Sequence, residues 1–504
     1  MLTEYVEKIL KARVYDVANE TPLDEMPRLS QRLNNTLLLK REDLQPVFSF
    51  KLRGAYNRMS HLSAEERLQG VVAASAGNHA QGVALAAKKM AISALIVMPK
   101  TTPAIKIEAV QALGADIALH GNSYDDACSY ALDIAQQQGR TFIHPYDDPE
   151  VIAGQGTIAM EIMRQHPDPL YAVFVPVGGG GLIAGIAAYI KAFWPEIKVI
   201  GVEPSDAASL KSALDANERV ALDQVGLFAD GTAVRQIGEE PFRIARETVD
   251  DVILVDSDEI CAAIMDIFED TRSIAEPSGA LAVAGAKKYI AREKLKNEHI
   301  VVIDSGANIN FDRLRHVAER AELGERREVV FAAKIEEKPG SFQQFCQVLS
   351  DHGITEFNYR YADSREAQVF VGVRINGSDN ERKALFASLD TAGYQWTDFS
   401  DNEMAKLHVR YMVGGHAPQV ENEQLYRFEF PERPGALLRF LTRMGQRWNI
   451  TLFHYRNHGA AYGRVLVGVQ VLDNEQKDFQ GFLDALGYAY WQETDNPAYD
   501  IFLK

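Results

Sequence analysis

Glycine, lysine and small polar residues in a few short segments carry the chemistry that this sequence offers. A run of glycines, Gly178 to Gly181, follows the apolar segment Val173–Val177 and precedes a helical pattern at Leu182–Phe193. A strand that turns through glycines into a helix leaves backbone N–H groups unpaired at the positive end of the helix dipole. Such an element binds phosphate without basic side chains. The glycine run therefore predicts a site for a phosphorylated ligand.

Two classes of phosphorylated ligand fit the glycine run equally well when it is taken by itself. Gly179–Ala184 matches the dinucleotide fingerprint GxGxxA, and Glu203 ends the next predicted strand, 198–202, at the distance of a ribose-binding acid. This pattern is typical of an NAD-dependent oxidoreductase. Pyridoxal phosphate (PLP) is the alternative ligand, and the rest of the chain has to distinguish the two.

Further polar segments lie where predicted strands end. Ser75–Ala80 follows one apolar strand and opens a helix, and Asp304–Asn308 follows the last strand before residue 320. In an open parallel sheet, ligands bind beyond the carboxyl ends of the strands. We therefore expect these two segments and the glycine run to face one crevice.

The elements that must position these segments alternate between strand and helix. Repeated β-α-β-α order implies mostly parallel sheet with helices on both faces. The predicted strands are 36–41, 70–74, 93–98, 115–119, 141–143, 173–177, 198–202 and 299–303, and the predicted helices are 1–13, 80–90, 103–113, 124–137, 151–165, 182–193, 258–270 and 277–289.

After a charged, helix-like neck at 313–327 the sequence repeats itself. Residues 334–345 parallel 429–440, and residues 354–360 parallel 450–456. Each copy shows the pattern of a βαββαβ module. The pattern alone supports a duplicated oligomerisation domain and a paired small-ligand sensor equally.

Composition excludes several function classes. The net charge of −17 over 504 residues argues against nucleic acid and anionic membranes as partners. Cys128, Cys261 and Cys346 are far apart, so the sequence predicts neither a disulfide framework nor a metal site, and it fits a reducing cytoplasm. The N-terminus lacks the apolar region of a signal peptide. The uncharged segment 169–190 contains a proline and the glycine run, which would break a membrane helix.

The segment around Lys51, Phe48-Ser-Phe-Lys-Leu-Arg-Gly-Ala55, resembles the lysine motif of the fold-type II PLP enzymes. Ser75–His79 resembles their substrate loop, Gly178–Gly181 their phosphate loop, and Ser305–Asn308 their pyridine-end motif, in family order. Over its whole length the chain resembles the biosynthetic threonine dehydratase family. The NAD alternative explains neither the Lys51 segment nor the Ser305 segment.

The resemblance implies an α/β fold and a domain layout. Two open, mostly parallel sheets with helices on both faces would form the catalytic part, followed by an α+β tandem ACT-like module. The catalytic domain would span 1–320 with a smaller subdomain at about 41–150. The regulatory domain would span 321–504 with repeats at about 328–400 and 424–495.

The resemblance also assigns roles to single residues. Lys51 would form the Schiff base with PLP and remove the α-proton of the substrate, as lysines of lowered pKa do. Ser305 would meet the pyridine nitrogen and, unlike an aspartate, leave it neutral, which favours β-elimination. His79 would satisfy neighbouring polar groups rather than act as a catalyst. Cofactor contacts are implied for Phe50, Lys51, Asn78, Gly178, Gly179, Gly180, Gly181, Leu182 and Ser305, and substrate contacts for Ser75, Ala76, Gly77, Asn78 and His79.

The implied reaction converts L-threonine, and also L-serine, by dehydration and deamination. The product from threonine is 2-oxobutanoate, which feeds isoleucine synthesis, and ammonia is released. The family resemblance implies a homotetramer that isoleucine inhibits and valine reactivates. Tyr359, Arg360, Tyr455 and Arg456 are effector-site candidates taken from the repeat.

Other PLP enzymes and a non-catalytic regulator are alternative interpretations of this sequence. The sensor-like tail disfavours a serine racemase or a single-domain catabolic dehydratase. An amino-acid-binding regulator with an inactive catalytic half is disfavoured by the intact Lys51 motif.

Overall fold

A computed structural model describes residues 2–504 apart from 312, 325–326, 351, 362–365, 403–404, 406–408, 412–413, 432–435, 445–446, 457–461, 498, 500–502 and 504. The chain divides into two compact units, Met1–Ala321 and Glu322–Lys504. Among the described residues, none of the helices combines the length and the apolar character that a membrane span requires.

The first unit contains two sheets built mainly from parallel strands. The large sheet has the order β1-β2-β10-β7-β8-β9, and the small sheet has the order β5-β4-β3-β6, in the following numbering. Apart from β1, which pairs antiparallel with β2, the strand pairs of both sheets are parallel. The strands are β1 (Leu23–Glu25), β2 (Thr36–Arg41), β3 (Val71–Ala74), β4 (Ala94–Met98), β5 (Asp116–Leu119), β6 (Thr141–Phe142), β7 (Ala172–Pro176), β8 (Lys198–Pro204), β9 (Asp251–Val255) and β10 (His299–Asp304).

Helices connect these strands. Those of the first part of the chain are α1 (Leu2–Lys11), α2 (Pro27–Leu33), α3 (Lys51–Ser60), α4 (Ala64–Gln69), α5 (Asn78–Met90), α6 (Ala104–Ala112), α7 (Tyr124–Gln138), α8 (Pro149–Gln165), α9 (Gly181–Phe193), α10 (Ser209–Ala216), α11 (Glu239–Thr248), α12 (Ser257–Thr271), α13 (Pro277–Glu293) and α14 (Arg313–Gly324).

Local signals explain why the central elements form where they do. The side chain of Asp148 accepts hydrogen bonds from the N–H groups of Glu150 and Val151, and Pro149 occupies the first turn of α8. These are standard helix-start signals. Every residue of β7 is buried, as expected for a central strand covered on both faces. Because β7 and β10 are parallel neighbours, the glycine run after β7 and Ser305 after β10 emerge at the same edge.

The second unit contains one antiparallel sheet with the order β14-β11-β13-β12-β16-β17-β15-β18. Its halves share the order strand, helix, strand, strand, helix, strand that the sequence repeat predicts, and β12 pairs with β16 to join them. The elements are β11 (Glu328–Glu336), α15 (Ser341–Val348), β12 (Gly353–Arg360), β13 (Glu366–Arg374), α16 (Asp379–Thr391), β14 (Gln395–Asp398), β15 (Glu423–Pro431), α17 (Ala436–Met444), β16 (Asn449–Arg456), β17 (Tyr462–Gln470), α18 (Gln476–Leu486) and β18 (Ala489–Gln492).

The turns that follow the first strand of each half are related in sequence. Gly340 precedes α15 with a φ of 90°, a conformation that favours glycine. The corresponding pair in the second half, Pro434-Gly435, lies outside the described residues.

Candidate active site

Lys51 is the first residue of α3. Its amine donates a hydrogen bond to the carbonyl oxygen of Pro145 at 3.0 Å and lies 5.3 Å from the centre of the Phe50 ring. Burial lowers the pKa of the Lys51 amine to about 8, and the carboxylate of Glu276 opposes this shift. Burial disfavours the charged form of an amine. The neutral, nucleophilic form is therefore much more abundant near neutral pH than in an ordinary lysine.

The chain just before Lys51 is attached to the segment that carries Ser305. The N–H of Phe50 donates to the carbonyl of Ser305 at 3.3 Å, and the N–H of Ala307 donates to the carbonyl of Phe48 at 2.9 Å. Ser305 is 3% exposed, and its hydroxyl donates to the carbonyl of Ser278 at 3.3 Å. The structure therefore brings Lys51 and Ser305 to one place.

The glycine run forms the connection between β7 and α9. Gly180 has a φ of 89°, which favours glycine. A Cβ at Gly179 would lie 2.2 Å from Cγ of Tyr146, and one at Gly181 would lie 2.9 Å from the Tyr146 carbonyl oxygen. At Gly178 a Cβ would lie 2.9 Å from Cα of Thr232. The run is therefore a bare backbone surface at the start of a helix.

A two-residue segment links the lysine to this surface. Pro145 accepts the hydrogen bond from the Lys51 amine, and the next residue, Tyr146, packs against Gly179 and Gly181. Leu182, the second residue of α9, is 5% exposed and belongs to the core beneath the run. The amine and the predicted phosphate surface are thus fixed relative to each other.

The predicted substrate loop leads into α5. A Cβ at Gly77 would meet no atom within 4 Å in the described structure, so space is open there. Ser75 and Ala76 are half-buried beside it. Asn78 donates a hydrogen bond to Glu276 at 2.5 Å and accepts one from the side chain of Asn308 at 2.7 Å. Asn78 therefore connects this loop to Glu276 and to Asn308, which lies in the same segment as Ser305.

His79 lies behind the loop. It is 3% exposed, and its Nε2 lies 2.9 Å from the carbonyl oxygen of Ile143, to which it donates. Burial and the positive charge of Lys51 lower the pKa of His79 to about 3. The ring is therefore neutral at physiological pH and fixed by the main chain.

Glu203 does not have the surroundings of a ribose-binding acid. It is fully buried, and its carboxylate accepts hydrogen bonds from the N–H groups of Leu210 at 2.7 Å and Lys211 at 2.9 Å. Both oxygens are thus used to hold the first turn of α10. This geometry counts against the dinucleotide alternative, in which Glu203 would bind a hydroxyl pair.

The residues of the cleft fit PLP. The glycine run offers backbone N–H groups to a phosphate, Lys51 offers an amine of lowered pKa, and Ser305 and Asn78 offer uncharged hydrogen-bonding groups. The sequence reasoning missed Tyr146 and Glu276 as parts of this site, whereas Asn308 is the last residue of the predicted pyridine-end motif. Glu276 precedes Pro277, which marks a helix start, but its contact with Asn78 spans 198 residues and has no local signal.

Strand alternation separates the effector-site candidates. Tyr359 and Tyr455 are 4% and 2% exposed and lie in the core beneath the helices, where the Tyr359 hydroxyl donates to Glu337. Arg360 points to the other face of the sheet, since successive side chains of a strand alternate. There it pairs with Glu423 at 2.5 Å. The side chain of Arg456 lies outside the described residues.

A pocket lies close to Tyr359 in the second unit. The indole N–H of Trp448 is buried there and has no hydrogen-bond partner in the described part of the chain. Glu337, which binds the Tyr359 hydroxyl, also accepts a hydrogen bond from Asn449 at 3.3 Å. The pocket is lined by Lys338, Pro339, Gly340, Phe342, Gln343, Leu441, Trp448, Asn449 and Ile450.

A histidine pair lies elsewhere in the first unit. His166 follows α8 and His299 begins β10; their ring nitrogens are 3.1 Å apart, and an oxygen of Asp168 lies within 4.8 Å of both. No sequence spacing predicts this group, because the strand order alone brings the two histidines together.

Comparison with known families and proteins adds to this geometry. Residues 14–306 match the family described as pyridoxal-phosphate dependent enzyme. Residues 319–409 and 414–503 match the C-terminal regulatory domain of threonine dehydratase, so that domain occurs in two copies.

The similarity to individual proteins extends over the full length. The chain is 56% identical to a biosynthetic L-threonine dehydratase of Burkholderia multivorans, with 99% of each chain covered. It is 55% identical to that of Escherichia coli over 99% of this chain and 97% of the relative. Among solved structures, the processed form of threonine deaminase isoform 2 from Solanum lycopersicum is 53% identical with a TM-score of 0.62, covering 64% of this chain and 93% of that one.

Proposed function

We propose that this chain, which belongs to the pyridoxal-phosphate dependent enzymes and among them to the biosynthetic threonine dehydratases, converts L-threonine to 2-oxobutanoate and ammonia. One observation carries the site assignment. The segment Pro145-Tyr146 binds the Lys51 amine through one residue and packs on the glycine run through the next. A ligand with an aldehyde at one end and a phosphate at the other matches that arrangement.

Lys51 supplies both the attachment point and the base. When bound, PLP withdraws electrons from the α-carbon of an attached amino acid. With a pKa of about 8, roughly a tenth of a lysine population is neutral at pH 7, whereas an ordinary lysine is almost entirely charged. A neutral amine in the cleft can take the α-proton, while the β-hydroxyl takes up a proton and leaves as water, so that the substrate loses one water in total. Hydrolysis of the resulting enamine then yields 2-oxobutanoate and ammonia.

The loop at the start of α5 suits the substrate carboxylate. Backbone N–H groups at a helix start attract an anion, and open space at Gly77 leaves room for one. Ser75 and Asn78 add a hydroxyl and an amide beside it. The neutral state of His79 means that the buried imidazole adds no charge to this part of the cleft.

Turnover of L-threonine by the purified holoenzyme tests the proposal. Lys51→Ala should abolish ammonia release. It should also abolish the absorbance of the bound cofactor at about 410 nm, the usual region of a PLP Schiff base. Lys88→Ala is the matched control, because Lys88 is an exposed lysine of α5. Ammonia release by the Lys51 variant at the wild-type rate would refute the assignment.

We also infer that isoleucine inhibits and valine reactivates the enzyme through the second unit. The Trp448 pocket supports this, because Phe342, Trp448 and Ile450 give it a largely apolar lining. The indole N–H, which has no partner among the described residues, suits a ligand carboxylate. The carboxylate of Glu337, which accepts from Tyr359 and Asn449, suits the ammonium group. Tyr359 then acts through Glu337 rather than by direct contact.

A charge-neutral variant tests the effector site. Glu337→Gln should weaken isoleucine binding at least tenfold, because it removes the charge that faces the ammonium group (about 1.4 kcal/mol per tenfold). Glu336→Gln changes the exposed neighbour on the same segment and serves as the control. Isoleucine affinity is measured by calorimetry. An equal affinity in the two variants would contradict the proposed effector site.

A homotetramer in the cytoplasm is the proposed working form of the protein. The family resemblance supports a homotetramer, which light scattering coupled to size exclusion would test. The free state of Cys128, Cys261 and Cys346 supports the reducing cytoplasm as the working compartment.

A further inference from the structure

We propose that Glu276 is a positioning residue of the active site, which fixes the side-chain amide of Asn78 together with Asn308. The inference rests on the proposed function, because it takes Asn78 as the residue beside the cofactor ring. Glu276 belongs to none of the motifs that the sequence identifies. Its role emerges only from the contacts made across the cleft.

The amide of Asn78 is held at both ends. Its Nδ2 donates to Oε1 of Glu276 at 2.5 Å, and its Oδ1 accepts from Nδ2 of Asn308 at 2.7 Å. Asn308 is itself anchored, since the same nitrogen donates to the carbonyl of Val47 at 2.9 Å. A carboxylate accepts and an amide NH₂ donates, so this pair of partners permits one orientation of Asn78. One N–H of Asn78 is used by Glu276, and the second remains available for a ligand.

The carboxyl group of Glu276 has little freedom to move. The residue is 4% exposed and directly precedes α13, which begins with Pro277. Its own N–H donates to the carbonyl of Gly306 at 3.0 Å. A Cβ at Gly306 would lie 2.9 Å from Oε1, and one at Gly231 would lie 3.5 Å from it. The backbone of these two glycines therefore packs against the carboxyl group, which occupies the space that side chains would need.

Several charged groups face this carboxyl group from the surrounding elements. Asp230 repels it, Lys106 attracts it, and Lys51 and Asp304 also act on it electrostatically. Burial, reinforced by Asp230, raises the pKa of Glu276 to about 7. A charged acceptor binds an N–H more strongly than a neutral one. The amide of Asn78 is therefore held more firmly above pH 7 than below it.

Two variants separate the acceptor from its charge. Glu276→Gln keeps an oxygen for Asn78 but cannot titrate, whereas Glu276→Ala removes the acceptor. Glu203→Gln is the matched control, because burial also raises the pKa of Glu203 to about 7 although it caps α10. PLP is titrated into protein stripped of cofactor at pH 6, 7 and 8, and the pH profile of threonine turnover is measured with saturating PLP.

We expect the wild type to lose cofactor affinity and kcat/KM on the acid side of pH 7. Glu276→Gln should show a flatter dependence in both measurements, and Glu203→Gln should keep the wild-type dependence. Glu276→Ala should bind PLP about tenfold or more weakly at each pH, since Asn78 loses its acceptor (about 1.4 kcal/mol). Urea unfolding of the apo-protein checks that each variant is folded.

Two results would overturn the inference. One is a Glu276→Gln variant whose pH dependence equals that of the wild type, and the other is a folded Glu276→Ala variant with wild-type cofactor affinity. Neither result resembles failure of the proposed function, which would appear as a wild-type holoenzyme that does not turn over threonine.

Discussion

A methyl group at Gly179 tests whether the glycine run is required by its surroundings. In Gly179→Ala the new Cβ would lie 2.2 Å from both Cγ and Cδ1 of Tyr146 and 2.4 Å from Cε1. Carbon atoms in contact are separated by about 3.5–4.0 Å. The ring or the loop must therefore move by about 1.3 Å to reach the lower of these distances. Tyr146 cannot retreat freely, because Pro145 before it accepts the hydrogen bond of Lys51.

The expected cost follows from this overlap. Adding a methylene to a packed interior destabilises a protein by about 1–3 kcal/mol. If the glycine run moves and the stability of the apo-protein is unchanged, the same free energy appears as weaker cofactor binding. The expected loss of affinity is about 5- to 150-fold (about 1.4 kcal/mol per tenfold). The sum of the two effects is the quantity to measure, by urea unfolding of the apo-protein and by PLP titration.

A second substitution identifies the source of the cost. Tyr146→Ala removes the three ring atoms that the new methyl meets, so Gly179→Ala should cost at least about 1 kcal/mol less in that background (coupling of contacting residues). Additive costs in the double variant would refute the steric explanation. Wild-type stability and cofactor affinity in Gly179→Ala would refute it directly.

Three further predictions concern other parts of the chain. Gly77→Ala should leave urea unfolding of the apo-protein unchanged but raise the KM for threonine, because its methyl enters open space; a loss of stability would contradict this. A chain that ends after Arg327 should release ammonia from threonine without inhibition by isoleucine, and inhibition equal to the full-length enzyme would contradict it. Burial raises the pKa of Glu203 from 4.5 to about 7, so stability present at low pH is lost as the pH rises through this window. Urea midpoints between pH 5 and pH 8 should therefore vary less in Glu203→Gln than in the wild type.

The sequence predicts the elements that carry a strong local signal. The apolar runs of β7, β8 and β10 and the glycine run between β7 and α9 lie where hydrophobic pattern and helix-start signals place them. The sequence patterns predict no elements at β9, α10 and α11. The helix α11 has few apolar residues, and only its packed face, with Phe242 and Ile244, reveals it as part of the core.

Contacts between distant segments explain what local patterns could not predict. Tyr359 and Arg360 are adjacent in the internal repeat of this sequence, yet successive side chains of a strand point to opposite faces. Their neighbours, Glu337 and Glu423, come from other strands and turns. Similarly, the partner of Asn78 is set by where α13 begins relative to α5, which no spacing in the sequence encodes.

The position of Lys51 depends on close helix contacts as much as on its motif. A Cβ at Gly154 would lie 2.7 Å from Cα of Gly54, so α8 and α3 touch through backbone. A Cβ at Gly82 would lie 3.0 Å from the backbone nitrogen of Leu52, so α5 approaches the start of α3 equally closely. Since Lys51 begins α3 and Asn78 begins α5, these contacts set the distance between the amine and the predicted substrate loop. Glycines at the helix contacts thus determine the geometry of the cleft, because side chains at these positions would separate the helices that carry it.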